Sequence, residues 1–174
     1  MNTEQLLTDL STQCDALRTL LMNATQNVGT LSQRLEQIVQ QLRKNIEVRD
    51  TTFAEDFNIF CQNLRHQLDQ WEPGWAQTRA AARGVKPADW TADLALAAKG
   101  FNSQARALSR ACDEFTSAQG KFNRIYKSFT AAKLNVFLLT SCQTDAENLT
   151  GKILFLAREI AKYTEKNRGA YVRG

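Results

Sequence analysis

The sequence predicts an all-α protein, either an elongated antiparallel helical hairpin with coiled-coil packing or a four-helix bundle. Three observations point there. The 174 residues include 22 Ala and 20 Leu against 6 Val and 6 Ile, so good helix formers far outnumber the β-branched residues that strands favour. Apolar residues recur in alternating steps of three and four over long stretches, which is helical and not strand spacing. Both prolines, Pro73 and Pro87, fall in one central segment, leaving two long proline-free arms. With 43% hydrophobic and 23% charged residues the chain has the composition of one domain with its own core, not that of a disordered tail.

The first arm, about 3–71, carries the clearest signal. Leu7, Leu10, Cys14, Leu17, Leu21, Ala24, Val28, Leu31, Leu35, Ile38 and Leu42 keep heptad spacing without a miss. Leu6, Leu20, Val39 and Ile46 widen the stripe, so more than one neighbouring helix is expected. The other flanking positions, such as Gln13, Asn27, Ser32 and Gln41, are mostly uncharged, which disfavours a parallel zipper held by interhelical ion pairs. Beyond Ile46 the register slips and resumes at Phe53, Phe57, Phe60, Leu64, Leu68 and Trp71. Thr52 with Glu55 has the spacing of a capping box that would open a new helix, whereas an inserted half-turn would carry one helix through.

The connector, about 72–90, reads as turn, short helix over 76–83, turn, because Pro73-Gly74 and Gly84 to Pro87 interrupt the pattern. Trp71, Trp75 and Trp90 surround it and are expected to clamp it.

The second arm, about 91–167, alternates bulky and small positions. Leu94, Phe101, Leu108, Phe115, Phe122 and Phe129 form one series and Ala98, Ala105, Cys112 and Gln119 the other, a pattern that allows close helix approach. The period breaks again around the apolar tetrad Val136 to Leu139, where Thr140 with Gln143 offers a second capping box. Cys142, Ala146, Leu149, Ile153, Leu156, Ile160 and Tyr163 form the last stripe, and the polar end, 168–174, is expected to fray. If both breaks are continuous helix the arms make a hairpin about 105 Å long, the favoured expectation; if they are turns, the result is a shorter bundle.

Catalytic and metal chemistry find no footing in these residues, so no cofactor or metal is expected and the chain reads as non-enzymatic. The one histidine, His66, has no Glu-x-x-His partner or nearby cysteine. Cys14, Cys61, Cys112 and Cys142 have neither metal-ligand nor redox-motif spacing and read as core residues. Thr150-Gly151-Lys152 resembles the end of a phosphate loop but lacks the preceding glycine, Ala146 standing there.

Function is therefore expected to come from surfaces. The seam residues Leu10, Leu17, Leu21, Leu31, Leu35 and Leu42, with Phe101, Phe115, Phe122 and Phe129, are assigned either to the core or to contact with a partner helix, and a homo-oligomer or a helical protein partner is the leading expectation. Charge supplies the alternative. Residues 1–72 hold 6 Lys/Arg and 10 Asp/Glu, residues 73–174 hold 16 and 8, so the two parts carry −4 and +8. The favoured explanation is that the parts pack together with complementary rims. The other is a basic surface for phosphate or acidic partners, nucleic acid among them, built from Lys121, Arg124, Lys127, Lys133, Lys162, Lys166, Arg168 and Arg173 with Tyr126, Tyr163 and Tyr171 between them. The tetrad at 136–139 would suit a membrane-inserting tip if exposed, the least favoured option. Met1-Asn2-Thr3-Glu4 lacks the basic start of an export signal, and no apolar run approaches the roughly 20 residues that cross a bilayer, so a cytoplasmic location is expected.

Overall fold

Each arm folds back on itself. The computed structural model describes residues 2–128 and 134–173, with side chains to Asn167, and contains four helices: α1 (Thr3–Arg43), α2 (Phe53–Arg83), α3 (Ala95–Lys127) and α4 (Val136–Arg173). Of the two architectures the sequence allows, the protein is the bundle, its longest helix spanning about 60 Å at 1.5 Å per residue. Phe129 and Lys133 lie outside the described residues, as do the side chains of Arg168, Tyr171 and Arg173.

The order of helices around the bundle is α1–α2–α4–α3. Gln13 of α1 donates to the Gly74 carbonyl and to Thr78 of α2, while Arg34 reaches Asp56 near the start of α2, so these two helices run antiparallel. Thr116 to Glu147 and Lys99 to Glu165 set α3 antiparallel to α4. The most extensive interface is between α1 and α3, which run parallel, and the slimmest of the four is between α2 and α4. The link from α2 to α3 therefore crosses a diagonal of the bundle. Small residues on α3, namely Ala98, Ala105 and Cys112, are buried in the same heptad series as Gln119, which donates to Thr140 of α4.

The core is one continuous cluster. Leu10, Leu17, Leu21, Leu31, Leu35, Phe101, Phe115 and Phe122 are all buried within the single chain. Leu42 is not: it is 41% exposed, and Ser32 and Val39 are buried instead. A straight α-helix drifts about 20° per heptad, so the buried stripe moves to later positions and leaves Leu42 behind. Phe57 stacks on Phe122 at 4.9 Å between ring centroids, and Phe53 lies 6.4 Å from the same ring, joining α2 to α3 across the bundle.

The breaks have specific causes. Asn45 adopts a left-handed φ of 54°, the Ile46 amide donates to the Gln41 carbonyl at 2.8 Å and the Asn45 amide to the Leu42 carbonyl at 3.2 Å, a Schellman closure that ends α1. Helix α2 does begin just after Thr52, but the Thr52 side chain caps no amide and instead donates to Asp56. The second expected capping box is displaced. Thr140 lies inside α4 and donates to the Val136 carbonyl, while Asn135 caps the helix by accepting from the Leu138 amide.

Pro73 is the largest departure from the sequence reading, because α2 runs through it to Arg83. An internal proline costs roughly 3 kcal/mol. Packing offsets this: the Trp71 and Trp75 rings stack at 5.9 Å, and the Trp71 indole donates to the Gln13 carbonyl. The link between α2 and α3 is consequently 84–94, two 3-10 turns, Pro87–Asp89 and Ala92–Leu94, on either side of the buried Trp90. Asn167 of α4 donates to the carbonyls of Pro87 and Trp90 at 2.9 and 2.6 Å. The backbone of α4 is helical through Arg173.

Candidate anion-binding groove

The bundle has two unlike ends. At one, α1 and α3 finish while α2 and α4 begin; this loop end holds residues 44–52 and the start of α4. Because α1 and α3 are parallel neighbours, their negative dipole ends lie side by side, and cations in the last turns are favoured there: Arg43 on α1, Arg124 and Lys127 on α3.

Between those last turns runs a groove of about 580 Å³, lined by Glu36, Val39, Gln40, Arg43, Lys121, Arg124, Ile125 and Ser128. Three cations from two helices meet in it, with Glu36 the one acid of the lining. Among the described residues no ion pair engages Arg43, Lys121, Arg124 or Lys127. Two acids of this end, Asp50 and Asp56, are engaged by Arg34. Arg34 holds Asp50 through two parallel hydrogen bonds of 2.7 and 2.9 Å and Asp56 through a third, and its guanidinium lies 5.6 Å over Phe53. That fork keeps the Asp50 carboxyl below the usual carboxylate range.

Complementary rims, the favoured explanation of the charge asymmetry, do not account for the ion pairs seen. One described pair joins residues 1–72 to residues 73–174, Arg65 with Asp145 at 2.6 Å, and its cation comes from the acidic part. The remaining pairs stay within one part. Packing is set by apolar faces, and the surplus cations of α3 stay on its solvent face.

The structure divides the basic residues singled out in the sequence. Lys121, Arg124 and Lys127 are exposed at the loop end, whereas Lys162 and Lys166 are exposed roughly 35–50 Å away along α4, judged from the level of Thr140 opposite Gln119. Tyr126 and Tyr163 are half-buried against the core, so their rings are not a free stacking surface. The groove gains a residue that sequence reasoning missed. Arg43 reads in isolation as an ordinary last-turn cation, and it joins Lys121 and Arg124 because α1 and α3 are parallel, which periodicity alone does not reveal.

The four cysteines are buried free thiols. Burial pushes Cys14 and Cys61 up to about 12 and raises Cys112 and Cys142, which suppresses the thiolate. Among the described residues no three His, Cys, Asp or Glu side chains are grouped to hold a metal ion, and no helix is long and apolar enough to cross a membrane. No protein-family model, curated protein or solved structure matches this chain.

Proposed function

We propose that the chain is a non-enzymatic interaction module, a four-helix bundle that binds an anionic partner at its loop end. The observation that carries this reading is the convergence of Arg43, Lys121 and Arg124 in one groove with no described ion pair on any of them. Cations that no described ion pair engages stay available to an incoming anion, and several of them act together on a multivalent one. The bundle supplies rigidity: the groove walls are two helices whose inner faces are locked by Leu35, Val39 and Phe122.

Docking on a helical partner, or on a second copy, has less support. The seam residues Leu10, Leu17, Leu21, Leu31 and Leu35, with Phe101, Phe115 and Phe122, are consumed inside the chain. Leu96 and Phe155, the large apolar side chains most exposed outside the loop end, sit singly on different helices, and scattered apolar residues are ordinary on a protein surface.

Binding to inorganic polyphosphate, followed by fluorescence anisotropy at low and high salt, tests the proposal. The expected result is an affinity that falls steeply as salt rises and drops roughly tenfold or more in Lys121→Glu/Arg124→Glu. Equal binding by the charge-reversed chain would end the reading.

A further inference from the structure

The groove opens at an end of the bundle that also displays the most exposed aromatic side chain described. Phe137, in the first turn of α4, is 90% exposed; Ile46, in the loop after α1, is 48% exposed; Leu42 is the third apolar residue there. These three come from three segments, and topology places all of them at the same end of the bundle, since α1 ends there and α4 begins there at the diagonal corner. Their neighbours in sequence are turned inward. Leu134, Val136 and Leu138 are half-buried against the core and Leu139 is fully buried, so the tetrad is divided, with Phe137 alone facing out. Arg43 and Lys44 adjoin Leu42 and Ile46 in the chain, and Lys121, Arg124 and Lys127 stand on the adjacent helix end, all exposed.

We infer that the loop end docks end-on against a membrane surface rich in anionic phospholipid, with headgroup phosphates held in the Arg43, Lys121 and Arg124 groove and Phe137, Ile46 and Leu42 entering the boundary between headgroups and acyl chains. This inference rests on the anion-binding reading of the groove and names its partner. Charge complementarity selects an anionic surface, each surface cation adding to its attraction. The apolar tip selects lipid over the other polyanions. A nucleic acid backbone offers nothing to Ile46 and Leu42, and an acidic helical protein would require a stripe with helical spacing or a pocket, which three isolated side chains on a convex end do not make. A fluid interface conforms to them. No described helix is apolar enough to span the bilayer, so the mode is peripheral.

The test is co-sedimentation of the full chain with large vesicles of phosphatidylcholine alone or mixed with phosphatidylserine, beside polyphosphate binding in solution. The wild type is expected on the mixed vesicles and not on phosphatidylcholine. Ile46→Ser/Phe137→Ser, both at exposed positions, should lose roughly tenfold in vesicle affinity and keep its polyphosphate affinity; Lys121→Glu/Arg124→Glu should lose both. Phe137→Cys carrying an environment-sensitive dye should shift to the blue on mixed vesicles, selective labelling being possible because the native thiols are buried. Polyphosphate or DNA binding without vesicle binding, undiminished vesicle binding by the tip variant, or a dye that stays in water overturns the lipid inference and leaves the groove reading standing. Absence of salt-sensitive binding to every anionic probe overturns both.

Discussion

The two ends of the bundle solve the same problem, closing a helical core, in opposite ways. The connector end is sealed by aromatics: Trp75 and Trp90 are buried, Trp71 is stacked and hydrogen-bonded, and Asn167 ties the 3-10 turns to α4. The loop end has its own aromatic packing, the Phe53, Phe57 and Phe122 stack, and leaves Phe137 and Ile46 outside it. The aromatic side chains of the connector end are packed, although Leu96 there is 84% exposed, whereas Phe137 and Ile46 stand outside the packing at the loop end. That contrast, with cations on the same side that no described ion pair engages, is what supports the proposal of the loop end as the working surface.

Replacing one aromatic at each end gives the widest separation between them. Trp90→Ala should cost about 3–5 kcal/mol, because it removes a buried ring that no neighbouring segment can replace. Phe137→Ala should stay within about 0.5 kcal/mol of wild type. Urea unfolding followed by far-ultraviolet circular dichroism measures both, and a comparable loss in the two variants would mean that the ends are not different in kind.

The loop end has its own stabilising device in Arg34. Removing that side chain leaves Asp50 and Asp56 facing each other without a cation, an expected loss of about 2 kcal/mol at neutral pH for this half-buried network. The sign of its pH dependence follows from Asp50, whose carboxyl titrates lower in the folded chain than in the unfolded one. The fork therefore contributes fully above the ordinary aspartate range near pH 4, and its contribution is lost as pH falls through the depressed folded value. Stability curves of wild type and Arg34→Ala should run apart at neutral pH and converge in acid. A gap that persists in acid would assign the effect to Arg34 packing over Phe53 and not to the ion pair.

What was legible in the sequence is what local spacing controls. The helical class and the buried faces of α1 and α3 follow from the recurrence of Leu10 to Leu35 and Phe101 to Phe122, since a side chain's position on its helix depends only on its number. Helix ends decided by tertiary contacts were not legible. Pro73 breaks an isolated helix, yet Trp71, Trp75 and Gln13 hold this one together. Thr140 has the spacing of a cap, but Asn135 lies nearer the true start and its amide also donates to Asn58 of α2 at 3.0 Å. The groove was half legible: Lys121, Arg124 and Lys127 stand out as a basic series, while Arg43 joins them through a helix order that the diagonal link sets. Leu42 kept its heptad number and lost its burial to helical drift.

The smallest expected effect concerns the residue that turns the first arm back. Asn45 sits in the left-handed region at φ 54°, where a side chain with a Cβ is disfavoured by about 1 kcal/mol and glycine is not. Asn tolerates this better than most residues, which is why the stop carries no glycine or proline to announce it. Asn45→Gly should gain about 0.5 kcal/mol, part of the relief being cancelled by the greater freedom of glycine in the unfolded chain. Asn45→Ala should lose about 1 kcal/mol, as the Ile46 to Gln41 and Asn45 to Leu42 hydrogen bonds weaken with the strained turn. The alanine variant also reaches the working surface. Extending α1 by a turn would displace Lys44 and Ile46 at this end, so vesicle affinity should fall more than polyphosphate affinity. Alanine with unchanged stability and unchanged vesicle binding would show that the left-handed turn does not set the tip, and the contrast between the two ends would then rest on the position of Phe137 alone.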